Sequence, residues 1–144
     1  MQEVDAVRTI NGTYGEVWID DDYYAEIEEA SAKDTLTYAD VKKAGQLRKD
    51  RKLIEIDGKI TIKGHHVRTN IEKAFADAVD NGKTPNVKII IKLADPDAFG
   101  AERCAFYGCK PDDITYFDFK HGSIAEDSMN FSYTKREYLD HIEA

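Results

Sequence analysis

The sequence predicts a mainly β fold: an antiparallel β-sandwich or barrel of about seven strands, with one flanking α-helix at about 69–81. Three observations support this fold class. Several short segments alternate between apolar and polar side chains, whereas only one segment repeats its apolar residues at helical spacing. No apolar run approaches the roughly 20 residues that a membrane span needs.

Length and composition indicate one folded domain. The chain has 144 residues, of which 42% are hydrophobic and 33% are charged. We therefore expect a single domain, 1–144, with a long basic loop at about 40–52 and a C-terminal tail at about 135–144. The first residues show neither the basic nor the apolar segment of a signal peptide, so a membrane protein and a secreted disulfide scaffold are not expected.

The first strands are expected in the acidic N-terminal third. Segments 16–20 and 23–30 flank three consecutive aspartates, 20–22, and such a cluster favours a tight turn. We therefore predict a hairpin across this turn.

The next predicted strand, 53–63, has the clearest alternation. It places four isoleucines on one face and charged or polar residues on the other: Ile54, Ile56, Ile60 and Ile62. That face should therefore pack inward. Gly58, in the middle of the segment, predicts a β-bulge or a bend.

The helix follows at 69–81. Its apolar side chains recur at helical spacing and form one stripe: Ile71, Ala74, Phe75, Ala78 and Val79. Thr69 and Glu72 have the spacing of a capping box, with Thr69 as the N-cap. Asn81 and Gly82 supply a left-handed stop. The stripe should pack on a sheet.

Four more strands are predicted after the helix. Segment 87–93 places Val87, Ile89, Ile91 and Leu93 on one face and Lys88 and Lys92 on the other. Segment 101–109 ends at a turn around Pro111. Segments 113–119 and 128–134 are rich in aromatic residues, which favour strands.

Charge is distributed unevenly along the chain, whose formal net charge is −8. Residues 1–40 carry 11 acidic and 2 basic side chains, whereas residues 41–68 carry 9 basic and 3 acidic ones. Opposite charges on two segments favour contacts between copies of the chain, although a solvated charged loop explains the basic run equally well. The residues that we expect at such contacts are Lys42, Lys43, Arg48, Lys49, Arg51, Lys52, Asp20, Asp21, Asp22, Glu26, Glu28 and Glu29.

No catalytic, cofactor-binding or metal-binding pattern is evident. The sequence has no phosphate-binding glycine loop and no nucleophile motif. His65 and His66 are adjacent at a strand end, so they should point to opposite sides and make a poor metal pair. Cys104 and Cys109 are five positions apart, which on a regular strand sends them to opposite faces, and we expect both to be buried as free thiols.

The order and spacing of these segments nevertheless resemble a known family. The segments are Asn11-Gly12 with Gly15 to Asp20, the acidic strand 25–32, the basic loop around Gly45 to Arg48, the strand around Gly58, the capped helix, Asp95-Pro96-Asp97 with Gly100, Glu102 and Arg103, and finally 130–142. Over roughly residues 8–142 the chain resembles the tail-tube proteins of contractile phage tails, defective prophages and phage-tail-like bacteriocins. Only the order of the segments is specific, because each one is an ordinary turn or strand.

The resemblance implies a structural protein without catalytic residues or cofactors. Proteins of this family form hexameric rings whose inner sheets join in one β-barrel, and the rings stack into a hollow tube inside a contractile sheath. The implied partners are the chain itself, the sheath protein, and the baseplate, tape-measure and terminator proteins, with DNA passing through the lumen without specific binding. Assembly is expected in the bacterial cytoplasm, followed by release in a particle that penetrates the target envelope as a channel for DNA or ions.

Two other classes of function stay open on the residues alone. A monomeric β-domain that binds a ligand or acts as an adaptor has the same composition and strand pattern. A small hydrolase or metal enzyme is the second alternative, although no motif favours it. The particle type, phage tail or bacteriocin, is not encoded in any segment named above.

Overall fold

The computed structural model of the protein describes residues 6–8, 11–66, 69–97 and 100–142, apart from the side chain of Thr13. These residues form eight strands and one α-helix: β1 (Gly15–Ile19), β2 (Asp22–Tyr23), β3 (Ile27–Val41), β4 (Asp50–His65), α1 (Asn70–Asp80), β5 (Val87–Leu93), β6 (Glu102–Pro111), β7 (Glu126–Tyr133) and β8 (Lys135–Asp140). Two short 3-10 helices precede β1 at Ala6–Arg8 and Gly12–Tyr14. The mainly β fold class with one helix is confirmed.

All strand pairs are antiparallel, in the order β2-β1-β5-β6-β7-β4-β3, and β8 pairs with β6. Strand β6 pairs with three strands: residues 102–109 bond to β5 and β8, whereas Lys110 and Pro111 bond to β7. Gly108, two residues before the change of partner, has a φ of +66°, and the register with β5 slips between Phe106 and Cys109. A bulge at the point where a strand changes partners is the usual way in which a sheet turns a corner.

The corner in β6 divides the sheet into two halves: β1, β2, β5, β8 and most of β6 form one, and β3, β4, β7 and the end of β6 form the other. The hydrophobic core lies between these halves. Its buried side chains come from both halves and include Val17, Ile19, Ile60, Ile62, Ile89, Phe106 and Phe131. Their burial removes apolar surface from water, which is the main term that holds the halves together. In the described ranges no helix is long and apolar enough to cross a membrane.

Both cysteines are buried and unpaired, as expected. The prediction that they point to opposite faces is wrong, because both belong to the same core cluster. The bulge at Gly108 adds a residue to β6 and so resets its alternation before Cys109. Burial raises the pKa of the Cys109 thiol to about 11 and also raises that of Cys104, so both thiols are protonated at neutral pH.

Helix α1 packs on the sheet, but its buried face is narrower than the apolar stripe that the sequence predicts. Ile71 and Phe75 are buried, and the Phe75 ring meets the Phe131 ring edge-on with centroids 6.1 Å apart. Ala74 and Val79 are exposed. The predicted capping box does not form: Thr69 makes no side-chain capping bond, and the Glu72 side chain is buried.

The N-terminal hairpin is shorter than predicted. Strand β2 contains only Asp22 and Tyr23, and it pairs with β1. Residues 27–30 belong instead to β3, where Ala30 lies opposite Ile62 of β4. The two aspartates of the turn, Asp20 and Asp21, take left-handed φ angles of 49° and 70°, which aspartate tolerates better than most residues.

Two predictions near the C-terminus are also wrong. Segment 113–119 contains no strand, and its aromatic side chains Tyr116, Phe117 and Phe119 are exposed. The predicted tail, 135–144, instead contains β8, which pairs with β6, and residues 143 and 144 lie outside the described residues. Strands 87–93 and 128–134 lie close to where they were predicted.

The packing of α1 predicts the effect of truncating its central side chain. Phe75 is 5% exposed, so Phe75→Ala should lower the free energy of unfolding by about 3–5 kcal/mol. Val79, on the same helix, is 50% exposed, and Val79→Ala should change the free energy by less than about 1 kcal/mol. Urea unfolding followed by circular dichroism measures both. Equal losses in the two variants would contradict this packing.

Candidate assembly surface

Strands β3 and β4 extend beyond the body of the fold. Strand β7 covers β4 only from Gly58, opposite Tyr133, to His65, opposite Glu126. Residues 50–57 of β4 therefore pair only with β3, among the strands described. We call the residues 35–57 the ribbon. At about 3.3 Å per residue, its two strands project roughly 25 Å from the sheet.

The ribbon begins at a close contact between three residues. Gly58 lies opposite Asp34 on one side and opposite Tyr133 on the other. A Cβ atom at position 58 would lie 2.6 Å from the Tyr133 ring, so only glycine leaves space for that ring. The Tyr133 hydroxyl donates a hydrogen bond to Asp34. We call this arrangement the ribbon clamp.

The ribbon clamp corrects the predicted role of Gly58. The pairing of β3 with β4 is regular at this position, and the irregularities fall instead between residues 27 and 29 and between 37 and 38. The glycine is needed for the approach of Tyr133 rather than for a bulge. Burial, together with the bond to Asp34, raises the pKa of Tyr133, so its hydroxyl stays protonated and acts as the donor.

Apolar side chains on the ribbon are exposed. Ile60 and Ile62, under β7, are fully buried, whereas Ile54 and Ile56 of the same predicted face are 63% and 58% exposed. Other exposed apolar residues of the ribbon are Leu36, Tyr38, Val41, Leu47 and Leu53. So many exposed apolar side chains on one short segment are typical of an interaction site rather than of a solvated surface.

The basic loop is shorter than predicted. Strand β3 reaches Val41 and β4 begins at Asp50, so the turn covers residues 42–49 rather than 40–52. Cross-strand attraction explains the extension, because Asp40 lies opposite Arg51 and the Arg51 guanidinium lies 4.2 Å from the Tyr38 ring centroid.

The six predicted basic residues all lie at or next to this turn and are exposed: Lys42, Lys43, Arg48, Lys49, Arg51 and Lys52. Some have partners within the ribbon. The Lys49 ammonium lies 3.2 Å from Asp40, and the Lys43 ammonium lies 3.7 Å from Asp50. We call the turn 42–49, with the adjoining Arg51 and Lys52, the basic tip. In the described part of the chain, no carboxylate pairs with Lys42, Arg48 or Lys52, so the basic tip keeps positive charge that is not neutralised within the subunit.

The predicted acidic residues fall into two groups. Asp20, Asp21 and Asp22 lie at the β1–β2 turn, where Asp20 accepts the backbone N–H of Lys88 and Asp21 lies 3.2 Å from the Lys88 ammonium. The three glutamates lie at or just before the start of β3: Glu26, Glu28 and Glu29.

The second acidic group, the three glutamates, lies at the opposite end of the β3–β4 hairpin from the basic tip. Glu28 contacts His65 at 2.7 Å, and Glu29 lies 4.0 Å from Lys63, both at the far end of β4. Glu28 and Val41 are 13 positions apart on β3, a distance of about 40 Å along an extended strand. The structure therefore does not bring the two charged groups together within one subunit.

These features define a class of protein: a small β-sandwich whose longest strands leave the core and present apolar and charged surface, as expected for a subunit of an assembly. The chain belongs to the phage tail tube protein family, whose model matches residues 2–140. It is a structural subunit of a tail tube. No curated protein sequence matches the chain well enough to count as a relative.

Solved structures with a similar fold come from tail-like particles. The fold is similar to a chain of the anti-feeding prophage cap, with a TM-score of 0.74, 12% identity, and 97% of each chain covered. It is also similar to a chain of the sheath-tube complex of the extracellular contractile injection system PVC (TM-score 0.67, 12% identity, 91% of each chain). A chain from the tail of a gene transfer agent particle has a TM-score of 0.57 and 12% identity, over 92% of this chain and all of that one.

The ribbon clamp predicts a strong effect of one methyl group. Gly58→Ala should lower the free energy of unfolding by about 1–3 kcal/mol, because the new Cβ displaces the Tyr133 ring. Gly12→Ala is the matched control, since no atom lies within 4 Å of a Cβ built there. Denaturant unfolding measures the stability. An unchanged stability in Gly58→Ala would contradict the packing of Tyr133 on Gly58.

Proposed function

We propose that this chain, acting as a single domain, forms hexameric rings that stack into the hollow inner tube of a contractile tail or a phage-tail-like particle. The observation that carries the proposal is the ribbon, which leaves the core and exposes apolar and basic side chains at once. A two-stranded ribbon alone is only marginally stable in water, so contacts with other subunits would stabilise it. Family membership supports the same conclusion.

The edge of the sheet supports ring formation. Strand β3 is the last strand in the order and spans 15 residues, and in the described part of the chain it bonds only to β4 along this length. A long free edge is a template for pairing with another chain. Pairing of this edge with a neighbouring subunit would extend the sheet around a closed ring and leave no edge exposed.

The charges support stacking of one ring on the next. The basic tip and the glutamates at the start of β3 lie at opposite ends of one hairpin, about 40 Å apart along the strand. A contact of the tip with the acidic group of a subunit in the next ring would repeat along the tube. Asp20, Asp21 and Asp22 are a second acidic group within this proposal.

We further propose partners and location that follow from the family. The partners are the sheath, baseplate, tape-measure and terminator proteins, and DNA that passes through the lumen without specific binding, because the net charge is −8. Assembly takes place in the bacterial cytoplasm before the particle is released, and the tube then crosses the target envelope as a channel for DNA or ions. The subunit has a structural rather than an enzymatic role.

A monomeric ligand-binding module is the second candidate, and one observation favours it. An open groove of about 1050 Å³ runs between β1, β3, β4 and β5, and Tyr23, Glu28, Lys33 and Lys63 are among the residues that line it. A groove of this size accommodates a small molecule. It is equally suited to a neighbouring subunit.

Size and shape in solution distinguish the two candidates. Gel filtration and negative-stain electron microscopy of the purified chain should show rings or hollow rods at high concentration. Hydrogen exchange should be fast in the turn 42–49 of the subunit and slow in the assembled form. A monomer of 16.3 kDa at all concentrations, with equal exchange of this turn throughout, would support the ligand-binding module instead.

Charge reversal at the tip tests the stacking contact. Lys49 and Arg51 have partners within the ribbon, so the test variant leaves them unchanged. It reverses the three cations that pair with no carboxylate in the described part of the chain: Lys42→Glu, Arg48→Glu and Lys52→Glu. It should fold normally but form only single rings or short rods, since each exposed pair contributes about 0–1 kcal/mol and the contacts add over a ring. Rod length in micrographs measures the effect.

The matched control for this variant makes the same change in net charge elsewhere. Lys73→Glu, Lys83→Glu and Lys120→Glu alter exposed lysines outside the ribbon and should leave rod length unchanged. Salt gives an independent comparison, because the Debye length falls to about 3 Å at 1 M ionic strength. If wild-type rods form equally well at low and molar salt and the tip variant also stacks, the contact is not electrostatic.

A further inference from the structure

A compact group of three titratable side chains lies away from the ribbon, where α1 meets the sheet. His66 follows the end of β4, Glu72 lies in the first turn of α1, and Asp127 lies near the start of β7. The backbone fixes two of these positions: Asp127 lies opposite Gly64 in the β4–β7 register, and the His66 N–H donates to the Ala125 carbonyl oxygen at 3.0 Å.

The geometry of this group is that of a ligand set. The His66 Nδ1 atom lies 2.8 Å from each carboxylate oxygen of Asp127. One nitrogen from His66 and one oxygen each from Glu72 and Asp127 all lie within 4.8 Å of one another. Three donors from three different elements therefore converge on one point.

Glu72 provides the second, independent observation. Its side chain is only 9% exposed, yet its Oε2 atom has no hydrogen-bond partner among the described residues. A buried carboxylate oxygen without a partner is unfavourable, because the group loses its hydration and gains nothing in return. Burial raises the pKa of Glu72, and the Asp127 carboxylate raises it further. A cation bound by the Glu72 carboxylate at this point would compensate for its lost hydration.

We propose that His66, Glu72 and Asp127 form a binding site for a divalent transition-metal ion of the Zn²⁺ class, with water as the fourth ligand. An imidazole nitrogen with two carboxylates suits Zn²⁺ better than Mg²⁺ or Ca²⁺, which prefer oxygen ligands alone. Zn–N and Zn–O bonds of about 2.0–2.2 Å place tetrahedral ligands about 3.3 Å apart, so His66 and Asp127 need to separate by only about 0.5 Å.

A second group, formed by Glu28, His65 and Glu126, has weaker support. Its donor atoms also lie within 4.8 Å of one another. Both of its carboxylates belong to exposed residues, although the buried His65 Nδ1 atom also has no hydrogen-bond partner among the described residues. Exposed carboxylates lose little by staying solvated, so the need for a cation is smaller there.

Metal binding at the proposed site would tie the start of α1 to β4 and β7 within one subunit, so it is independent of ring assembly. A ligand that binds only the folded state stabilises that state. At a free Zn²⁺ concentration one hundred times its Kd, the unfolding midpoint of the full, untagged chain should rise by about 5–10 °C. Mg²⁺ at the same concentration should have no such effect.

The experiment is a Zn²⁺ titration by calorimetry of the full chain and of three variants. Wild-type protein should bind one ion. Glu72→Gln and Asp127→Asn should each lose at least about tenfold in affinity, since even the loss of an outer-shell partner weakens a site by 10–100-fold. His65→Gln is the matched control, one residue before His66, and should bind Zn²⁺ as the wild type does.

Each other result overturns the proposal. Without saturable binding, the group is an ion pair and nothing more. Equal affinity in wild type and Glu72→Gln excludes Glu72 as a ligand. Loss of binding in His65→Gln but not in Glu72→Gln places the ion at the Glu28 group. Circular dichroism in EDTA confirms that each variant is folded without metal. If Glu72→Gln does not fold, the affinity of Asp127→Asn provides the test.

Discussion

The packing of the Tyr133 ring on Gly58, with the tyrosine hydroxyl bonded to Asp34, is the contact on which the shape of this subunit depends. It lies where β4 loses its β7 neighbour, so the core side chains end there and the ribbon begins. A two-stranded ribbon has little stability of its own. Its direction is therefore determined mainly at this point, where one glycine, one ring and one carboxylate join β3, β4 and β7.

The elements that the sequence predicted well are those that meet their partners inside the chain. Helix α1 and strands β5 and β7 have apolar side chains that reach the core, as Phe75, Ile89 and Phe131 do. In such elements the apolar positions that recur at strand or helical spacing are the ones that are buried, so the pattern predicts the element. The aromatic segment 113–119 shows the reverse case, because Tyr116, Phe117 and Phe119 are exposed and the strand predicted from them does not form. A preference for strands depends on packing neighbours, and within this segment Ile114 packs against the core whereas the three aromatic side chains do not.

Most of the ribbon and the role of Gly58 could not be predicted for a different reason. Residues 53–57 alternate and belong to the strand predicted at 53–63, but a ribbon with two exposed faces needs no alternation, so charged residues such as Asp40 and Arg51 resemble a loop although they pair across strands. The glycine was recognisable as a special position, but its neighbour Tyr133 is 75 positions further along the chain. The charged residues of the candidate surface could be named from composition. Which of them were already paired, as Lys49 is with Asp40, depended on the fold.

The length of the hairpin bears on how copies of the subunit meet. A chain that assembles head to tail needs two different surfaces that fit each other but cannot meet within one molecule. Strands β3 and β4 place the cations of the basic tip about 40 Å from Glu28 and Glu29. The two charged groups of one subunit therefore cannot contact each other. Because β3 and β4 hold the basic and the acidic group at opposite ends of one hairpin, the uneven charge distribution gives the subunit two different ends. In the proposed ring with parallel subunits, every tip would point the same way, and stacking would then continue without a change of contact.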